Sequence, residues 1–357
     1  MRICVITDIQ SPYQVELFNS IAAREKEFFV IYVRRNDPSR QWGKEELRHD
    51  HAFLDEISPS EEGRFVSGPE LLVFSHYRHP RLQSWMRSRS ASDKPWCFWG
   101  ERLGFSNRGF AGYLFRRWKL STLHQSRAPI WGIGDWAVDS YRKEFGIRRR
   151  YFNVPYFSDL ERFGAEKDRK KTRDGRVILY SGSLSERKGV DLLASAFLRV
   201  APEFPYLSLD LLGDGPLRES LEQQLQPVRD RVRFLGFKDW SELPAAYADA
   251  DVLCVPSRHD GWALVVPEGL AAGLPVVGTD HTGAALELIS DWDNGWLVQA
   301  GNAEALAVAL RSAAMIPREH LAQMAETARE VAARHSLASG ADRFLQAAAE
   351  SINGWKS

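Results

Sequence analysis

Apolar residues along this chain fall into short runs separated by stretches with helical spacing. ICVIT occupies residues 3–7, an amphipathic stretch follows with Val15, Leu17, Phe18 and Ile21 on one face, and FFVIYV comes next. LLVFS, PWCFWG and IWGIG recur further on. Unbroken apolar runs of this length suit strands covered on both faces, and their alternation with helices predicts a parallel sheet between two helical layers. Residues 36–68 are polar without periodicity and predict a long loop.

The second half repeats the pattern. RVILYSG reads as a strand, residues 189–201 as a helix with Val190, Leu193, Phe197 and Val200 on one face, LSLDLLG as a strand and 215–226 as a helix. VRFLGF, VLCVPS, PVVGT and GWLVQ complete a second strand set. GAEKDRKKTRDG (164–175) is charged, lacks apolar periodicity and reads as a linker. The Ala-rich tail 317–353 predicts two helical segments broken near Ser336 and Gly340. The expected architecture is α/β: two Rossmann-like doubly wound domains, 1–163 and 176–335, facing across a cleft. Residues 336–357 are expected to pack back on the first domain as a helix. Ligands of such folds sit at the carboxyl ends of the strands.

Composition narrows the class. Of 357 residues, 44 % are hydrophobic and 26 % charged, which excludes disordered and low-complexity chains. No apolar run approaches the ~18–20 residues of a membrane span, and MRICVITD has no signal-peptide layout. Cys4, Cys97 and Cys254 are far apart, which disfavours a disulfide framework or a Cys-based zinc site and predicts buried thiols in a cytoplasmic protein. The net charge of zero hides a split: residues 1–165 carry 26 basic and 20 acidic side chains, and residues 76–150 carry 16 and 5. Such a basic stretch is either a solvated surface or a field for anions.

Chemistry concentrates in Pro256-Ser-Arg-His-Asp260-Gly-Trp-Ala-Leu-Val-Val-Pro-Glu268-Gly-Leu-Ala-Ala-Gly273-Leu-Pro-Val-Val. It reads strand, loop, helix, turn, strand. Gly261, Trp262, Ala263 and Leu264 would present backbone N–H groups at a helix start, where phosphate is favoured. Ser181-Gly182-Ser183-Leu-Ser-Glu-Arg187-Lys188-Gly189 forms a strand-to-helix turn with two cations. Leu212-Gly213-Asp214-Gly215-Pro216 and Leu235-Gly236-Phe237 each end a strand.

The Asp260–Glu268 segment resembles the donor-site signature of the retaining GT-B glycosyltransferases of family 4. That family carries Glu, seven residues and a second Glu; this chain has Asp260 at the first position. The resemblance implies that Asp260 faces the donor sugar's hydroxyls and Glu268 the nucleotide ribose. It implies that Lys188 and Arg187 reach the diphosphate, and that Gly182, Ser183, Gly213, Gly215 and Phe237 line the nucleotide. Ser183 stands where the family commonly has Arg, and Thr282 where it has the first of two glycines. The family's His at the end of a first-domain strand is Glu101 here, which would orient the acceptor or pair with a neighbouring arginine such as Arg102. The implied activity is metal-independent transfer from a nucleotide-sugar to a glycan or lipid-linked acceptor, with no cofactor. The alternative is a non-catalytic sugar-nucleotide or glycan binder of the same fold.

Other features point elsewhere or nowhere. His76 and His79 have metal-like spacing but no third ligand. No strand leads into G-x-G-x-x-G, which disfavours a nicotinamide enzyme, and no nucleic-acid module is legible. Phe110, Leu114 and Trp118 lie at helical spacing beside Arg116, Arg117 and Lys119. That face suits either the inner, anionic face of a membrane or packing on its own sheet. Most of the twelve tryptophans are expected in the core.

Overall fold

A computed structural model describes residues 1–35, 46–104, 109–164 and 175–356. The chain divides into two units, Met1–Ser158 with Leu337–Ser357, and Asp159–Ser336. Of the linker expected at 164–175, residues 165–174 lie outside the described residues.

The first unit holds seven strands: β1 (Ile3–Thr7), β2 (Phe28–Tyr32), β3 (Asp50–Phe53), β4 (Leu71–Phe74), β5 (Trp96–Gly100), β6 (Ile130–Gly132) and β7 (Tyr151–Asn153). They are ordered β3-β2-β1-β4-β5-β6-β7 and every pair is parallel. The second unit holds β8 (Arg176–Ser181), β9 (Leu207–Leu212), β10 (Val232–Gly236), β11 (Val252–Val255), β12 (Val276–Thr279) and β13 (Gly295–Val298), ordered β10-β9-β8-β11-β12-β13 and again parallel. Both units therefore reverse direction beside their first strand, at β1/β4 and at β8/β11. That switch point is where an open parallel sheet leaves a crevice at its carboxyl edge.

Central strands such as Val252–Val255 are buried throughout, so their apolar runs were readable. The two edge strands of the first sheet were not, while those of the second, in VRFLGF and GWLVQ, were. Of the loop expected at 36–68, residues 36–45 lie outside the described residues, and the remainder contains β3 and a helix Glu62–Ser67. β3 has the sequence DHAF with its first two residues exposed, and it joins the sheet through backbone pairing with β2, which demands no apolar pattern. β7 is three half-buried residues. The helix expected at 215–226 spans only Arg218–Gln224, because Gly215 and Pro216 lie in the preceding turn.

The tail forms helices Arg318–Ala333 and Leu337–Lys356, broken at Ser336 but not at Gly340. Gly340 lies against the Phe157 ring, which a Cβ there would approach to 2.5 Å. The helix Leu337–Lys356 belongs to the first unit. Phe344 meets the rings of Phe28, Trp99 and Trp131, and the buried Trp131 indole donates to Ser351 Oγ (3.1 Å). In the second unit Val190, Leu193 and Phe197 share a core with Leu306 and Leu310.

Cys4, Cys97 and Cys254 are free and buried, and burial pushes their thiols up, away from reactivity. No described helix is long and apolar enough to cross a membrane.

Candidate active site

β8 and β11 are neighbours, with Ile178 beside Val252 and Leu179 beside Leu253. Their carboxyl ends therefore bring together two turns 72 residues apart. After β8, Glu186–Lys188 makes a single 3-10 turn that ends on Gly189 with φ +70°. A Cβ at Gly189 would lie 2.0 Å from the Pro256 carbonyl oxygen, so only glycine lets the turn approach the loop after β11. The Arg258 N–H donates to the Arg187 carbonyl (3.0 Å). The Arg258 guanidinium grips the Asp191 carboxylate twice, at 2.6 Å each. Burial pushes Asp191 up, but Arg258 outweighs it and holds the group below its usual range.

At the centre stands Asp260, 8 % exposed. Lys188 Nζ donates to its Oδ2 at 2.6 Å and Arg187 Nη1 lies 3.6 Å away. Oδ1 accepts the Trp262 N–H (3.3 Å), and the Asp260 N–H donates to the His281 carbonyl (2.9 Å). Lys188 is thus neither a solvated helix start nor an uncompensated cation. It is held by the carboxylate the sequence placed in the same site.

The next residues turn sharply. Ala263 has φ +69°, a left-handed conformation costing about 1–2 kcal/mol for a residue with a side chain. Trp262 is buried and stacks on His335, with centroids 5.6 Å apart and planes at 26°. Leu264 precedes the helix Val265–Ala271. Among the described residues the N–H groups of Ala263 and Leu264 donate to no acceptor in the chain.

Glu268 is 3 % exposed within that helix. The Tyr247 hydroxyl donates to its Oε2 (3.0 Å) and also bonds the Ser181 side chain. Burial, with Glu268 adding to it, pushes the Tyr247 hydroxyl well above its usual range, so it stays a donor. Tyr247 and Ser181 were missed by sequence reasoning. A tyrosine in a short apolar helix carries no signal separating it from the core.

The glycine turns close the site on its other side. The Gly182 N–H donates to the Leu212 carbonyl (2.9 Å), and the Gly213 N–H to the Gly236 carbonyl (2.8 Å). At Gly213 (φ +128°) a Cβ would fall 1.9 Å from the Gly182 carbonyl oxygen. Ser183 is exposed, its carbonyl accepting from the Tyr180 hydroxyl (2.6 Å), and Gly215 lies in the loop after β9, where a Cβ would fall 2.7 Å from the Leu184 carbonyl oxygen. Phe237, one residue beyond Gly236, is half exposed. The structure so gathers Lys188, Arg187, Asp260, the 261–264 loop, Glu268, Gly182, Ser183, Gly213, Gly215 and Phe237 along one carboxyl edge.

Residues 163–331 match the family described as glycosyl transferases group 1. This segment belongs to that family. The glycosyltransferase segment has relatives in an uncharacterized glycosyltransferase of Methanocaldococcus jannaschii, 34 % identical over 49 % of this chain and 41 % of that protein. It is also similar to a phosphatidyl-myo-inositol mannosyltransferase of Mycolicibacterium smegmatis, 33 % identical over 39 % of this chain and 36 % of that protein. The matched region thus spans less than half the length of either relative. Among solved structures, Anabaena HepE in complex with UDP superposes with a TM-score of 0.77 over 98 % of this chain and 100 % of its own, at 17 % identity. That likeness shows the fold, two Rossmann-like units of the GT-B type.

In the first unit Glu101 follows β5 and is exposed. Its side chain bonds the Tyr156 hydroxyl, and the Arg102 guanidinium lies 4.0 Å over the Trp136 ring. His76 Nδ1 is 3.8 Å from Asp8, whose carboxylate is held twice by Arg34 (2.8 and 2.6 Å). Among the described residues no group of three His, Cys, Asp or Glu side chains forms a metal-sized cluster. In the helix Gly109–Lys119, Leu114 is 49 % and Trp118 72 % exposed, beside exposed Tyr113 and Phe115. The packing alternative therefore fails for Leu114 and Trp118, while the Phe110 side chain lies outside the described residues.

Proposed function

We propose that this chain is a retaining, metal-independent glycosyltransferase. It moves a sugar from a nucleotide-sugar donor to a hydroxyl of a glycan or lipid-linked acceptor. The observation that carries the reading is the Lys188–Asp260 pair at the β8/β11 switch point, one helix away from buried Glu268, inside the group 1 segment. Asp260 is assigned to the sugar hydroxyls and Glu268 to the ribose. The acceptor oxygen bonds the anomeric carbon as the bond from that carbon to the diphosphate oxygen breaks on the same face. The acceptor's proton passes to the departing diphosphate. Lys188 and Arg187 stabilise the negative charge that develops there, which is the largest demand of the step. The retaining course rests on the resemblance of the Asp260–Glu268 segment, and its check is the anomeric configuration of the product by NMR. Glu101 is assigned to the acceptor.

HepE has been solved with UDP and with UDP-glucose, which makes UDP the first probe. Thermal shift against UDP, GDP, ADP and CMP tests the reading. A nucleotide at 100 times its Kd adds about 2.7 kcal/mol, and several degrees of Tm are expected. No shift with any of the four overturns it. A shift without diphosphate release in the presence of sugar conjugates and acceptors marks the non-catalytic alternative.

The exposed Tyr113, Leu114, Phe115 and Trp118 beside Arg117 and Lys119 support peripheral contact with an anionic membrane on its cytoplasmic side. Binding to phosphatidylglycerol vesicles is expected to fall with salt. Trp118→Ala should weaken it about tenfold, the loss of one interfacial aromatic. Equal binding to neutral vesicles would remove the electrostatic part of this assignment.

A further inference from the structure

Trp118 and Trp292 are the two exposed tryptophans among the described residues, and Trp292 has no part in the site above. It lies in the turn before β13, at the amino edge of the second sheet. The proposed donor site follows β8, β9 and β11 at the carboxyl edge. Trp292 is 60 % exposed yet firmly held. Its N–H donates to the Gly295 carbonyl (2.8 Å), and its backbone adopts φ +68°. The buried Asn294 side chain closes the turn, accepting from the Ser290 N–H (2.8 Å) and donating to the Leu288 carbonyl (2.9 Å). The indole stands edge-on to Trp296 at 6.0 Å and 78°. The ring is thus presented in one orientation, so a ligand stacking on it loses little entropy in ordering it.

The ring borders a groove of about 630 Å³ walled by the end of the helix Ala303–Met315 and by the helix Arg318–Ala333. This falls within the roughly 300–1,000 Å³ of small-molecule sites. Ile316 and Met324 supply apolar lining. Asp293, Ser312, His320 and Gln323 supply a carboxylate, a hydroxyl, an imidazole and an amide. Among the described residues none of these four side chains has a hydrogen-bond partner in the chain. Asp293 is the one Asp, Glu, Lys or Arg side chain among the lining residues, so the groove lacks the clustered charge that would select an ion. An aromatic face for C–H groups and several planar polar groups for hydroxyls match the two faces of a pyranose.

We propose that this groove binds a neutral oligosaccharide, a remote portion of the glycan acceptor or product, with Trp292 as the stacking platform. The link to acceptor or product rests on the transferase reading; the binding itself does not. Saturation-transfer NMR on the full chain, with maltohexaose, cellohexaose and an α-linked mannohexaose at millimolar concentration, tests it. At least one should bind, Trp292→Ala should weaken it about tenfold or more, and Trp292→Phe should retain most of the affinity, with unchanged melting in both variants. No binding by any of the three to the wild type overturns the proposal, as does equal binding by Trp292→Ala. A wild-type dimer that Trp292→Ala turns into a monomer, with no sugar bound, assigns the face to self-association instead. UDP binding measured on the same samples separates the two readings: its loss strikes the transferase proposal and leaves the groove untouched.

Discussion

Replacing Lys188 by alanine is expected to slow sugar transfer by roughly 10²–10³-fold, the usual cost of deleting one group that stabilises developing charge in the transition state. The ammonium sits 2.6 Å from Asp260 Oδ2 and the next cation, Arg187, is 3.6 Å from the same oxygen. Arg187 is more than half exposed and solvent-screened, so it is a weak substitute. The substitution also strips Asp260 of its closest partner. Asp260 and Lys188 retain 11 % and 20 % exposure of their side chains, so the stability lost should stay below the roughly 3–5 kcal/mol of a fully buried broken pair. Lys188→Ala/Asp260→Asn separates the two effects: the double variant should recover melting temperature but not turnover. Normal kcat in Lys188→Ala would end the assignment of this cation to the diphosphate.

The second large effect is expected at Glu268. Glu268→Ala should raise the donor KM roughly 10–100-fold, the loss of hydrogen bonds to a charged group at about 1.5–3 kcal/mol. It also leaves the buried Tyr247 hydroxyl without this acceptor, at a further cost in stability of about 1–3 kcal/mol. Glu268→Gln keeps an acceptor for Tyr247 and should preserve the fold while still weakening the donor. Tyr247→Phe is the control: it removes the hydroxyl's bonds to Glu268 and to Ser181, about 1 kcal/mol each, and leaves the carboxyl in place. Equal nucleotide affinity in Glu268→Gln and wild type, measured by calorimetry, would remove Glu268 from the ribose site.

Much of this arrangement was legible beforehand because the central strands of a doubly wound sheet are buried on both faces. Runs such as VLCV and LLVF have no polar positions to blur. The elements that escaped, DHAF and YFN, sit at the first sheet's two edges and carry little apolar pattern, whereas the more apolar edge strands VRFLG and GWLV of the second sheet were readable. The ion pair itself was beyond pattern. Lys188 and Asp260 were each singled out, but their contact depends on β8 and β11 being neighbours, which is a property of strand order. The exposure of Leu114 and Trp118 was likewise undecided by spacing, since an amphipathic helix shows the same period whether its apolar face meets a sheet or faces out.

The helix Leu337–Lys356 completes the hydrophobic interior of a unit whose other residues end at Ser158. During synthesis the ribosome must therefore add about 180 residues before the first-made unit receives its final helix, a wait of roughly 10–35 s at usual elongation rates. Over that interval Trp131 and Trp99 lack the Phe344 side that covers them in the finished protein. The second unit is drawn from one uninterrupted stretch and meets no such delay. The order of manufacture is thus inverted with respect to the order of completion: the half encoded later is the first able to close its core.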